Sequence, residues 1–201
     1  MSVVPAVYAL CRFGSWVILR TIWGLRVVGA ERVPAMGPLI VACNHVSNLD
    51  PPTLGVAVPR RVTYMAKVEL FQIPVLGQLI SALGAFPVDR SRGDIAAIKR
   101  AIAVLERGAC LGIFPEGGRN QDGSKLPQMG VALLASMSGA TVIPAYVSGT
   151  SQAHRLARVT VIFGEPYRFE PGQQARRDDL AKWTGELMDR IFALRERLGG
   201  N

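Results

Sequence analysis

Four short runs of mostly apolar residues, 39–43, 109–114, 141–147 and 158–163, limit the folds open to this chain more than any other feature. A strand with one wet face alternates apolar and polar residues, whereas a strand covered on both faces does not, and such strands belong to parallel sheets flanked by helices. Shorter strand candidates lie at 25–29, 62–66 and 84–88. Between the strands, apolar residues recur at helical spacing. The stretch 94–107 carries Ile95, Ile98, Ile102 and Leu105 and ends at Gly108; the last helix repeats Leu180, Trp183, Leu187, Ile191, Leu194 and Leu198. Residues 71–83 and 130–138 read as further helices. The pattern predicts an α/β fold with a mostly parallel central sheet flanked by helices, preceded by an N-terminal amphipathic helical segment. Pro144 cannot donate to a ladder, so a bulge or a ligand edge is expected there.

In open parallel sheets ligands bind at the carboxyl ends of the strands, and polar residues collect at those ends. After the first buried run come Asn44, His45 and, five residues on, Asp50. Five residues is about 140° around a helix, so a regular helix would part the two, but a strand-to-helix turn can fold the carboxylate onto the ring. Such a pair makes a general base: the acid fixes the tautomer and stabilises the imidazolium formed when the other ring nitrogen takes a proton. Pro51 and Pro52 suit the first turn of a helix, so Asp50 also reads as a cap, and His45 also reads as a buried histidine satisfied by the backbone. No Gly-x-Ser-x-Gly elbow and no suitably placed cysteine supplies a nucleophile, so the activated hydroxyl is expected to come from a substrate.

Lys67 and Arg90 each sit just past a strand and together would face a phosphate; singly, each reads as a solvated charge. The second buried run leads into Pro115, Glu116, Gly117, Gly118, Arg119 and Asn120. Paired glycines let the backbone approach a ligand, while Glu116 and Arg119 offer a hydroxyl acceptor and an anion clamp, or simply a surface ion pair. His154 lies in a polar loop and reads as a surface residue.

A chain of 201 residues with 49% hydrophobic residues and a net charge of +8 is greasier and more basic than an ordinary soluble enzyme. That combination favours a membrane surface. No nucleic-acid recognition motif accompanies the basic residues, so nucleic acid is not expected as a partner. Cys11, Cys43 and Cys110 are odd in number and lack metal or redox spacing, which fits reduced thiols. Residues 3–28 are mostly apolar but interrupted by Arg12, Arg20 and Arg26, too often for a spanning helix or the core of a signal peptide. The three arginines share one sector of a helical wheel with Trp16 and Trp23 in or beside it, opposite a broad apolar face. Two readings stay open, a helix lying in a membrane interface and one packed on the protein's own core. We expect an interfacial segment at 1–28 and a catalytic domain at 29–201.

Three strand-end clusters, NHVSNLD, AFPVDR and FPEGGRN, follow one another in that order. The set resembles the glycerolipid acyltransferase family, typified by enzymes that acylate 1-acylglycerol-3-phosphate. Asn44, His45 and Asp50 match its first block; Lys67 and Arg90 fall within a stretch similar to its second; Phe114, Pro115, Glu116, Gly117 and Arg119 match its third. VIPAYVSG resembles the fourth, and the likeness spans residues 30–165. The resemblance implies a His45–Asp50 base acting on a lysophospholipid hydroxyl, with acyl-CoA or an acyl carrier protein thioester as donor. It also implies that Glu116 orders the glycerol, that Lys67, Arg90 and Arg119 neutralise the phosphate, and that backbone amides near Gly117 and Gly118 stabilise an oxyanion. No metal or other cofactor is expected, and attachment is expected to be peripheral or monotopic, on the cytoplasmic side of a membrane. Gly118 and Asn120 replace hydroxyl residues common in the family, which bears on the acceptor. The alternative chemistry is a thioesterase using the same pair on water. Oligomeric state has no signature in the sequence.

Overall fold

The computed structural model describes residues 5–89, 93–170 and 175–198. The chain opens with α1 (Pro5–Ile22) and continues through β1 (Arg26–Val28), β2 (Leu39–Cys43), α2 (Asp50–Ala57) and β3 (Val62–Lys67). A 3-10 turn at Val68–Gln72 leads to α3 (Leu76–Ala82), β4 (Phe86–Val88), α4 (Ile95–Glu106) and β5 (Cys110–Ile113). Then come α5 (Gly130–Ser138), β6 (Thr141–Ser148), β7 (Thr160–Phe163), β8 (Tyr167–Arg168) and α6 (Arg177–Glu196).

The strands form one sheet in the order β1-β7-β6-β2-β5-β3-β4, with β8 paired to β6. From β6 through β2, β5 and β3 to β4 every pairing is parallel, while β7 and β8 run antiparallel to β6. Strand parity sorts the core into two layers. Leu39, Val41 and Cys43 of β2 face α1 and α2, packing with Leu19 and Leu54; Ile40 and Ala42 face α4, α5 and α6, packing with Leu105, Leu134 and Leu187. All of β2 is buried, as its unbroken apolar run requires. The mostly parallel, doubly covered sheet expected from the sequence is therefore present.

Several local expectations are corrected. Residues 71–83 are not one helix: Pro74 and a left-handed Val75 (φ 66°) separate the 3-10 turn from α3. On α4 the inward face runs through Ala97, Ala101 and Leu105, while Ile95 is 70% exposed. Alanines at i and i+4 let the helix settle close to the sheet, with Ile98 and Ile102 on its flank. The bulge expected at Pro144 lies on the partner strand: between the pairs Val142–Tyr167 and Ala145–Phe163, two residues of β6 oppose three, 164–166. The Pro144 carbonyl accepts from the Gly164 N–H at 2.8 Å, on the β6 edge where β8 covers residues 141 and 142 and β7 covers 145 to 148. The missing N–H thus falls in the gap between two short partners. The two-residue β8 carries no readable pattern.

Helix α1 lies across α2, and its arginines turn toward the protein rather than away from it. Arg12 donates to the carbonyls of Val56 and Val58 at 3.3 and 3.0 Å, satisfying the last turn of α2, and Arg20 donates to Leu25 O. Within α1 only Leu19 is buried, while Leu10, Phe13, Trp16, Ile18 and Ile22 remain exposed. Among the described residues no helix is long and apolar enough to cross a membrane.

Candidate active site

The carboxyl ends of β2, β5, β3 and β4 share one edge, and the described residues among those singled out for catalysis and substrate binding sit there. Register fixes the central contact. Ala42 pairs with Ile113 across β2 and β5, so three residues further along both chains His45 lies level with Glu116. The backbone N–H of His45 donates to Glu116 Oε2, and the N–H of Asn120 returns a bond to His45 O at 2.7 Å. The Asn120 side-chain amide donates to Glu116 Oε1 at 3.3 Å, and its oxygen accepts from the Lys125 N–H at 3.1 Å. The two strand-end loops are thereby laced into one unit.

On that unit His45 Nδ1 lies 2.9 Å from Asp50 Oδ2. An ionised carboxylate only accepts, so Nδ1 carries the proton and Nε2 is left as the basic nitrogen. Asp50 opens α2 but does not cap it. Its Oδ2 reaches back to the N–H groups of Val46 and Ser47, each at 2.7 Å, so one oxygen gathers three donors from the turn before the helix. Asp50 is fully buried, and its Oδ1 has no hydrogen-bond partner among the described residues. The imidazole stacks on Phe114 with centroids 4.3 Å apart, and Phe114 in turn faces Tyr64, whose hydroxyl donates to Pro51 O. An aromatic floor and a carboxylate wall together leave the ring one orientation.

Electrostatics follow burial. Glu116, 3% exposed, has its carboxyl pushed up by desolvation, partly offset by the bonds from the His45 N–H and the Asn120 amide. Burial also lifts the Cys43 thiol well above its ordinary value, helped by the nearby Asp50 and Glu116 charges. A thiol so disfavoured as thiolate makes a poor nucleophile.

The outer cations are less tightly organised. Lys67 ends β3 at the same edge, where its amine pairs with Glu69 at 2.8 Å and both side chains are 53% exposed. Arg119 is exposed on the loop after β5. Neither is bonded to His45 or Asp50 among the described residues, and Arg90 lies outside them. Gly117 takes a left-handed φ of 68°, with the Gln128 side chain where a Cβ would sit, so only glycine suits that turn. Three residues carry roles not read from the sequence. Asn44 spans the gap between β2 and β6, donating to Val147 O at 3.0 Å and accepting from Val147 N at 2.8 Å; an amide directly after a fully buried strand is the available signal. Phe114 and Asn120 act through tertiary contacts that no local pattern announces.

The sequence pattern of the family described as Acyltransferase matches residues 24–148, which takes in the whole of this edge. The chain belongs to that family. It is 34% identical over 196 residues to the 1-acyl-sn-glycerol-3-phosphate acyltransferase of Bacillus subtilis, covering 95% of this chain and 98% of that protein. The human 1-acyl-sn-glycerol-3-phosphate acyltransferase alpha is 32% identical over 136 residues, 65% of this chain but only 48% of the human one. Among solved structures, the 1-acyl-sn-glycerophosphate acyltransferase PlsC of Thermotoga maritima superposes with a TM-score of 0.75 at 25% identity, covering 96% of this chain and 80% of that one. This acyltransferase thus shares the mixed α/β fold of that solved structure. The family resemblance drawn from the three clusters is borne out.

Proposed function

We propose that this acyltransferase moves a fatty acyl group from an acyl thioester to the free hydroxyl of 1-acylglycerol-3-phosphate, giving phosphatidic acid. The carrying observation is the 2.9 Å contact between His45 Nδ1 and the buried Asp50 carboxylate. His45 Nε2 takes the proton from the acceptor hydroxyl, and that oxygen attacks the thioester carbonyl to form a tetrahedral intermediate. Collapse breaks the carbon–sulphur bond, and the imidazolium returns its proton to the departing thiolate, so the base is regenerated. Asp50 holds the ring and balances its transient charge.

Glu116 serves this reaction as a positioning residue, because both its oxygens are engaged by His45 and Asn120. Arg119 and Lys67, at the same sheet edge, together with Arg90, which follows β4 in sequence, neutralise the acceptor's phosphate, while the backbone at Gly117 and Gly118 approaches the reacting centre closely. Asn120 is turned inward, so it replaces a phosphate-facing hydroxyl with an internal brace. The donor is acyl-CoA or an acylated carrier protein, and no metal takes part. The apolar outer face of α1 supports peripheral attachment to a membrane, where the acceptor resides.

The test is transfer of labelled acyl groups from each donor to lysophosphatidic acid. Wild type should transfer, and His45→Ala should not while keeping its circular dichroism. Retained transfer in that variant refutes the mechanism, and fatty acid release indifferent to the acceptor would make the enzyme a hydrolase instead.

A further inference from the structure

Residues 70–88 form a run of nineteen without a charged side chain, yet much of this segment is not buried. Leu70, Ile73, Val75, Leu76 and Leu79 are all exposed, Val75 to 75%, and within α3 only Gly77 is buried. The segment is folded on itself rather than loose. Gly77 presses on Phe71, whose carbonyl lies where a Cβ would stand, and Gly77 N–H donates to Ile73 O at 2.8 Å. At the tip, Leu76 N–H donates to Pro74 O across Val75, whose φ of 66° and ψ of −54° are those of a tight, strained three-residue turn. A β-branched residue is among the worst choices for that conformation. A strained backbone carrying an apolar side chain out into solvent does nothing for the stability of the isolated domain, which points to a role outside it.

We infer that this apolar knob, residues 70–79, inserts into the surface of an anionic lipid bilayer and sets the active-site edge against it. Three observations select a bilayer over a protein partner. The knob follows β3 at the edge where His45 sits, and a lipid acceptor, as proposed above, must reach that edge from a membrane. At its base Lys67 is balanced by Glu69, but Arg119 stands exposed on the same edge and the chain as a whole bears +8, so anionic headgroups meet net positive charge beside an apolar centre. Its polar residues, Gln72 and Gln78, are neutral. The knob is separate in sequence from α1, so the enzyme has two apolar contacts rather than one. The inference rests on the lipid-acceptor reading.

The test uses the full chain and vesicles of phosphatidylglycerol and phosphatidylcholine in equal parts. Val75→Asp and Ile73→Asp should each lower vesicle partitioning about tenfold, whereas Met137→Asp, exposed on α5 away from the knob in sequence, should not. Transfer to acceptor embedded in vesicles should fall with partitioning, while transfer to a short-chain, water-soluble acceptor stays unchanged, which certifies the fold and the site. Val75→Gly, which removes the side chain and relieves the turn, should also partition less without a lower melting temperature. If wild type binds and the Val75 and Ile73 variants bind equally, the inference is overturned and the lipid-acceptor reading stands. If wild type does not partition at all, membrane attachment fails with it. Loss of a dimer or of carrier-protein binding with partitioning intact would overturn it in favour of a protein contact.

Discussion

Replacing Asp50 by asparagine tests the proposed mechanism most directly, because it removes the charge and keeps the shape. The amide oxygen can sit where Oδ2 sits and still accept from His45 Nδ1–H and the N–H groups of Val46 and Ser47. What is lost is the attraction between carboxylate and imidazolium at the moment the ring is charged. Two unit charges about 4 Å apart interact by about 4 kcal/mol at an effective dielectric of roughly 20. At about 1.36 kcal/mol per decade, that predicts a fall in kcat of about a thousandfold. KM should change little, since Asp50 is buried and touches no solvent-facing surface. Stability separates the two obvious substitutions. In Asp50→Asn the amide NH2 takes the place of Oδ1, which has no partner among the described residues, and a buried unsatisfied donor costs about 1–3 kcal/mol. Asp50→Ala would strip three donors of their acceptor at once, on the order of 3–9 kcal/mol by the same principle, comparable with the whole stability of a domain. The assay is single-turnover acyl transfer beside thermal unfolding of both variants. An Asp50→Asn enzyme within about threefold of wild-type kcat would remove the electrostatic role argued here, and an Asp50→Ala protein as stable as wild type would remove the structural one.

Other perturbations test the surroundings. Burial raises the Glu116 carboxyl, so its favourable contribution to folding is present at low pH and is lost as pH rises through the elevated value; urea unfolding of wild type and Glu116→Gln should show wild type losing ground as pH rises, and a pH-independent difference would sink the argument. The Cys43 thiol is held well above its ordinary value and Cys110 is pushed up to about 12, both by burial, so iodoacetamide at neutral pH should leave both unlabelled in the native enzyme and label them after unfolding. Gly112→Ala would drive a Cβ into the Tyr64 ring, which leans on Phe114 and through it on His45; we expect about 1–3 kcal/mol of destabilisation and a lower kcat, measured by melting and turnover.

What is legible in the sequence is what local chemistry determines. Unbroken apolar runs announce buried strands, and the polar residues after them announce the working edge, because parallel strands all deliver their carboxyl ends to one side. The directions of side chains are less legible. The arginines of the N-terminal segment read as one sector of a helical wheel whose facing stays open, and Arg12 is drawn inward by the open carbonyls of α2, which no reading of α1 alone could reveal. The isoleucines of α4 read as its core face, yet close approach to the sheet favours Ala97 and Ala101. Residues 71–83 keep a helical period across Pro74, and only the strained turn at Val75 shows where α3 begins. Glu116 reads as a ligand for substrate because its neighbours do, and register with β2 turns both it and Asn120 toward His45.

That register carries a consequence for how such a site can vary. His45 and Glu116 meet because β2 and β5 are adjacent, parallel and aligned, and a shift of one residue in either strand would carry the Glu116 carboxylate away from the His45 N–H while turning buried side chains to the wrong layer. The proposed base is therefore specified by the core itself, and residues 39–50 and 110–120 have little freedom to adapt. Freedom lies in the segments that leave the edge after the strands have done their work. The loop 121–128 is exposed over most of its length and is anchored chiefly by backbone bonds at its two ends, Asn120 N–H to His45 O and Gln128 N–H to Pro115 O. The knob at 70–79 is held at its base by β3 and β4. Recognition of different acceptors and surfaces is accordingly expected to change in these two segments, with the His45–Asp50 pair and its brace held constant beneath them.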